Sequence, residues 1–294
     1  MKKIVCYGEV LWDMLPTGKK LGGAPLNVAL RAQSLGCEAK VISSIGKDAP
    51  GEGIVEQMKA HAASLQHLQV SENFATSEVL VSLNDAGSAS YEIKMPCAWD
   101  DIKLREEDVE AVKESDAFIY GSLVARQNIS RETLFALLKV SRFNVFDLNL
   151  RPPHYKMETL LHLMKSADLI KFNDEEIFEI CSAMGAANLS LENSIKFIAE
   201  KTNTHRICVT LGSKGAVVFQ DDIFVYSNGY KIVVADTVGA GDSFLATLIC
   251  QMLAGTDSQI ALNYACAVGG LVASKQGANP KVSTEEIEGL MKTK

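Results

Sequence analysis

The run Asp236-Thr237-Val238-Gly239-Ala240-Gly241-Asp242-Ser243-Phe244 holds the residues best placed to do chemistry. Gly239 and Gly241 stand just before a strongly apolar segment that continues to Ala254, the pattern of a helix entered through small residues. Free first-turn N–H groups and the positive end of a helix dipole would then converge on one point, with the Asp242 carboxylate beside it. An anion pocket next to a single Asp suits phosphoryl transfer: the N–H groups hold phosphoryl oxygens while the carboxylate takes a hydroxyl proton. A Gly-rich helix entry capped by Asp accounts for the same residues without any chemistry. Spacing alone leaves the two readings level.

A second candidate is Leu21-Gly22-Gly23-Ala24-Pro25-Leu26-Asn27-Val28-Ala29. Gly22 and Gly23 let backbone approach a ligand, Pro25 suits a first helical turn, and Asn27 offers both donor and acceptor. By itself this reads as a loop-to-helix junction. It is neither a Walker A loop nor a GxGxxG fingerprint.

These residues need a scaffold, and the rest of the chain supplies one. Short β-rich runs at 3–7, 40–45, 117–120, 144–148, 169–172 and 207–210 alternate with helix-period segments at 25–35, 53–63, 131–140, 157–165, 174–184 and 190–200. That rhythm predicts an α/β fold, a doubly wound, mostly parallel sheet flanked by helices. Two places break it. Ser77–Leu83 and Ala89–Lys94 alternate around Asn84-Asp85-Ala86-Gly87, a hairpin signal, and 216–234 holds strands without helices. Ser283-Thr284-Glu285-Glu286 resembles a capping box ahead of a last surface helix.

Composition narrows the function classes. The 294 residues are 47% hydrophobic and 22% charged, which excludes global disorder. A net charge of −7 argues against a nucleic-acid or anionic-membrane surface, though not against a phosphate held by backbone amides. Apolar residues 4–7 meet Glu9 too early for a signal peptide, and no apolar run has membrane-spanning length. Seven scattered cysteines without a CxxC read as reduced thiols, so a cytoplasmic protein is expected.

Taken together, Gly-Gly-Ala-Pro-x-Asn-Val-Ala and Asp-Thr-Val-Gly-Ala-Gly-Asp resemble the paired signatures of the ribokinase-like (PfkB) carbohydrate kinases. Gly46-Lys47-Asp48-Ala49-Pro50-Gly51, Lys171-Phe172-Asn173-Asp174-Glu175-Glu176 and Val209-Thr210-Leu211-Gly212-Ser213-Lys214-Gly215 match three further family elements in order. The resemblance implies a single kinase domain over 1–294, with a β-sheet lid built from about 10–22 and 75–96. It implies ATP and Mg²⁺, with Asp242 as catalytic base and Gly239, Ala240 and Gly241 as an anion hole. Asp13, Gly23, Asn27 and Arg151 would grip the sugar. Asn173 and Glu176 would organise Mg²⁺ and phosphates through water, while Thr210, Gly212 and Gly215 would border the nucleotide. Asp236, near Gly277-Ala278-Asn279, lies where many family members bind K⁺.

Each assignment has a plain alternative: Asn173 as a helix cap, 210–215 as an ordinary loop, Asp13 as a surface residue, Asp236 as a turn cap. For the acceptor, Gly8-Glu9-Val10-Leu11-Trp12-Asp13 with Pro16, Arg126, and Phe146-Asp147-Leu148-Asn149-Leu150-Arg151-Pro152-Pro153 resemble the fructokinase branch. The expected reaction is therefore phosphorylation of D-fructose at O6. Ribose, 2-keto-3-deoxygluconate or a nucleoside are the other acceptors to consider, and a non-catalytic sugar- or nucleotide-binding relative is the reading from another class. Trp12 and Trp99 either pack in the core or stack on a sugar. Cys266 stands where many relatives carry Asn near the adenine. Family members often dimerise through their lid sheets, so a homodimer is among the expectations, and no nucleic-acid or membrane partner is.

Overall fold

The computed structural model describes residues 1–15, 18–83 and 89–293. A nine-stranded sheet forms the body, in the spatial order 223–227, 216–220, 206–210, 169–173, 144–147, 117–121, 3–7, 38–46, 68–71. The strand 216–220 pairs antiparallel with both of its neighbours, and the remaining pairs are parallel. The strand Lys3–Tyr7 lies between Ala117–Gly121 and Glu38–Gly46, so the strand order reverses there. In such sheets the crevice outside the carboxyl ends of the strands at the reversal is the natural ligand position.

Both faces are covered, as the uninterrupted apolar strands require. Val5 and Tyr7 join Phe118, Tyr120, Phe146 and Phe172 in one buried cluster, under helices Asn128–Leu138, Met157–Lys165, Asp174–Ala183 and Leu191–Thr202. Ile4 and Cys6, pointing the other way, pack with Leu26, Ile54, Leu245 and Ile249 of helices Ala24–Ser34, Ala49–Ala60 and Ala240–Leu253. Each large side chain so buried contributes roughly 1.5–3 kcal/mol.

A separate four-stranded sheet, in the order 18–22, 11–15, 77–83, 89–93, covers the mouth of the crevice. Its strands fall inside the expected lid segments. The turn residues Asn84-Asp85-Ala86-Gly87 and Pro16 lie outside the described residues.

Boundaries moved in two helices. The helix expected from Gly53 starts at Ala49, because Asp48 accepts from the Gly51 N–H and Pro50 occupies the first turn. The one expected from Arg131 starts at Asn128. The last helix, Thr284–Met291, does open on the Ser283–Glu286 capping box.

Candidate active site

The crevice holds a cavity of about 320 Å³, walled by the carboxyl ends of the parallel strands, the start of two helices and the inner face of the small sheet. Asp242 sits in the first turn of Ala240–Leu253, whose preceding residue Gly239 has φ +74°. A side chain at Gly239 would also run into Ala278, so both its backbone angle and its surroundings call for glycine. Gly239, Gly241 and Asp242 line the cavity; Ala240 does not, and its amide bonds the Thr237 carbonyl (3.2 Å).

Helix Ala24–Ser34 brings Asn27 opposite. Its Nδ2 donates to Asp242 Oδ2 (2.8 Å), and its Oδ1 accepts from Asn279 Nδ2 (2.7 Å). Gly23 has φ +111° and presses against the Glu9 carbonyl. Burial pushes the Asp242 carboxyl up to about 6, against the opposing pull of the Asn27 hydrogen bond. A buried carboxyl with a pKa near neutrality, at a helix start in a crevice, is suited to take a proton.

The cavity is also lined by Glu9, Asp13, Asn149 and Arg151. Burial raises Glu9 to about 7 and Asp13 to about 6, and Arg151 opposes both shifts. On the same wall, Lys171 Nζ bonds Asp147 Oδ1 (2.8 Å), both side chains almost fully buried. Burial alone would lower the lysine pKa; the Asp147 carboxylate overrides it and holds the ammonium charged.

The other expected residues divide. Asn173 and Thr210 line the cavity, Asn173 also capping the helix Asp174–Ala183 through its Oδ1. Glu176 does not line it: its two oxygens accept from the Asn173 and Leu150 amides, a capping-box role that sets both loops. Gly212 and Gly215 lie outside the wall as well, Gly215 being packed on the 227–229 backbone. Asp236 lines the cavity, accepts from the Val238 and Gly277 amides (3.1 and 3.0 Å), and has Lys20 Nζ at 3.5 Å.

Trp12 and Trp99 are core residues, 4% and 0% exposed, and neither faces the cavity. Arg126 is likewise absent from its wall, and so is Cys266, which packs with Phe244 and Leu248. Sequence reasoning assigned no role to Glu9, Asp147, Lys171 or Asn279. All four lay within quoted segments, and the signal that could have marked the first three is a charged side chain in or just beyond an apolar strand.

Residues 1–285 match the family model described as pfkB family carbohydrate kinase. A putative sugar kinase of Pyrococcus horikoshii is 30% identical over 297 aligned residues, covering 94% of this chain and 91% of that protein. A fructokinase of Salmonella typhimurium is 27% identical, covering 94% of each. Among solved structures, a fructokinase double mutant from Vibrio cholerae, bound to fructose, ADP and potassium, superposes with a TM-score of 0.86 at 23% identity, covering 99% of this chain and 98% of that one.

Proposed function

The chain belongs to the pfkB family of carbohydrate kinases, and from that premise we propose that its cleft transfers the γ-phosphoryl group of Mg-ATP to a primary hydroxyl of a free sugar, D-fructose at O6. The observation that carries the reading is Asp242, buried in the first turn of a helix and held by Asn27, in one cavity with Asp13 and Arg151. Asp242 takes the hydroxyl proton as the acceptor oxygen bonds to the γ-phosphorus and the bond to the β,γ-bridging oxygen breaks, releasing ADP. The amides of Gly241 and Asp242, with the Lys171 ammonium below them, carry the charge on the transferring group. Asp13, Asn27, Asn149 and Arg151 supply the polar contacts that orient a polyol and reject analogues lacking a hydroxyl.

Charge favours a neutral acceptor. Five carboxylates (Glu9, Asp13, Asp147, Asp236, Asp242) and three cations (Lys20, Arg151, Lys171) line the cavity, so an acceptor with its own phosphate or carboxylate meets net repulsion. That supports fructose or ribose over 2-keto-3-deoxygluconate and sugar phosphates. The identity to a fructokinase across 94% of both chains supports fructose among the neutral sugars.

Mg²⁺ enters as part of the nucleotide substrate. Among the described residues no three Asp, Glu, His or Cys side chains group to hold a metal, so the oxygens of Asn173 and Asp242 suit the ion through its waters, where it would shield phosphate charge. Asp236 does not fit K⁺ as it stands: two amides and the Lys20 ammonium already face its carboxylate. The four-stranded sheet acts as the lid that excludes water from the transfer. Buried free cysteines suit a cytoplasmic enzyme, and the family resemblance favours a homodimer through the lid, which light scattering returning a single-chain mass would reject.

The test is ADP release from Mg-ATP with fructose, ribose, 2-keto-3-deoxygluconate, adenosine and fructose 6-phosphate, with Asp242→Asn as control. Fructose-dependent release that disappears in the variant is expected. Turnover on another acceptor alone would keep the kinase and displace the sugar; silence on all acceptors with ATP still bound would leave a non-catalytic binder.

A further inference from the structure

Arg31 lies one helical turn beyond Asn27 and is 3% exposed, yet it takes no part in the cavity wall. Its Nε donates to Ser243 Oγ (3.0 Å), beside Asp242 in the first turn of Ala240–Leu253, and its Nη2 donates to the Pro280 carbonyl (2.9 Å). One buried guanidinium fork thus ties three segments together: the helix that carries Asn27, the helix start that carries Asp242, and the loop 277–280.

That loop is pinned on either side of Asn279. The Gly277 amide donates to Asp236 Oδ2 (3.0 Å), Ala278 packs against Gly239, and the Pro280 carbonyl is held by Arg31. Asn279 itself is not part of the cavity wall. Among the described residues its side chain makes a single hydrogen bond, Nδ2 to Asn27 Oδ1 (2.7 Å), while its own Oδ1 has no partner. The amide is placed for one donated bond.

The polarity of that bond matters one step further on. An ionised Asp242 carboxylate can only accept, so the end of Asn27 that meets it has to be the N–H₂ (Nδ2 to Oδ2, 2.8 Å). A half-turn about the last torsion of Asn27 would present Oδ1 to the carboxylate instead, and that torsion is intrinsically close to two-fold. Asn279 rules the turned pose out, because two N–H₂ groups would then face each other where a donor now meets an acceptor.

We propose that Asn279 is a positioning residue for the phosphoryl transfer: by donating to Asn27 it dictates which end of that amide meets Asp242. The inference rests on the reading of Asp242 as the base. Arg31 serves the same arrangement from behind, since its hold on Pro280 and Ser243 sets the loop against the helix start. Asn279 acts through Asn27 alone. Without its donor the Asn27 amide is free to reverse, and the base then faces an oxygen in place of an N–H.

The test is a double-mutant cycle on kcat of the full chain, with Mg-ATP and the acceptor that supports turnover, pairing Asn279→Leu with Asn27→Ala. In the wild-type background Asn279→Leu is expected to lower kcat about tenfold and to leave the KM for ATP within about twofold. In the Asn27→Ala background no amide remains to be oriented, and the same substitution is expected to lower kcat by less than about twofold. A residue that only holds the loop together would lose the same factor in both backgrounds. Should Asn279→Leu unfold, Asn279→Ala takes its place in the cycle with the same expectation, and unfolding temperatures of all the variants are measured alongside. Unchanged kcat in the single variant, an equal loss in both backgrounds, or failure of both variants to fold overturns the proposal and leaves the kinase reading standing. No turnover with any acceptor, or turnover that survives Asp242→Asn, overturns that reading and this one with it.

Discussion

Asn27 and Asp242 stand 215 residues apart in the chain and 2.8 Å apart in the fold, amide nitrogen to carboxylate oxygen. Asn279 donates to the other end of the same amide, so the orientation of Asn27 is fixed and only its N–H₂ faces Asp242. The carboxylate thus keeps one steady donor while burial lifts its pKa to about 6.

A general base works only unprotonated, so turnover at saturating sugar should rise with pH through about 6 and level off above it. In Asn27→Ala the donor that favours the charged form is gone, and the acid limb should move upward. Pre-steady-state or steady-state rates across the acid range check this; a flat profile through pH 6 contradicts the role of Asp242. Asp13 and Glu9, raised to about 6 and about 7, should add their titrations to the sugar KM rather than to kcat.

Asp242 also sets activity against stability. Its folded pKa lies above the ordinary value of 3.8, so the protonated form is the one the fold favours. The stability it contributes is complete below about 3.8 and is lost as pH rises through about 6. Asp242→Asn, which keeps the shape and the Asn27 contact, should therefore lower kcat by about 10²–10⁴-fold while raising the unfolding temperature. The temperature gain should be larger at pH 7.5 than at pH 4.5. A variant less stable than wild type at neutral pH would refute the burial argument.

Lys20 and Asp236 bear on cation dependence. Lys20 belongs to the strand Gly18–Gly22 of the small sheet, and its ammonium lies 3.5 Å from a carboxylate that two amides also face. With a tethered cation in place, exchanging Na⁺ for K⁺ should change turnover by less than about twofold. Lys20→Met should make the enzyme more responsive to K⁺. Strong K⁺ activation of the wild type would show that the ammonium leaves when substrates bind.

The parts of the site that were legible in the sequence are those written in one stretch of chain. Gly239 to Asp242 and Gly22 to Asn27 carry their own local geometry, a positive φ followed by a helix start, and glycine spacing announces it. The strands were legible because burial on both faces leaves uninterrupted apolar runs. The helix Glu106–Glu114 gave no such sign: its sequence EEDVEAVKE buries only Asp108 and Val112. Asp147 and Lys171 escaped a role because their partnership exists only in the register of two parallel strands, where they are direct neighbours. Arg126 was visible as a residue of interest but not its place, since the bidentate contact with Asp100 that turns it away from the cleft spans 26 positions.

That neighbouring pair yields the sharpest separation of structure from catalysis. Lys171 Nζ comes within 3.9 Å of where a side chain on Gly241 would begin, so its charge lies directly under the first turn proposed to receive the phosphoryl group. Lys171→Met should lower kcat by about 10²-fold and also destabilise the fold, because Asp147 is left buried without its partner, a loss of about 3–5 kcal/mol. Adding Asp147→Asn removes the stranded charge, so the double variant should recover much of the unfolding temperature. It should not recover the rate. If the second substitution restored turnover along with stability, Lys171 would be serving only as the counter-charge to Asp147; if neither substitution touched kcat, the phosphoryl group would not pass over this ammonium at all.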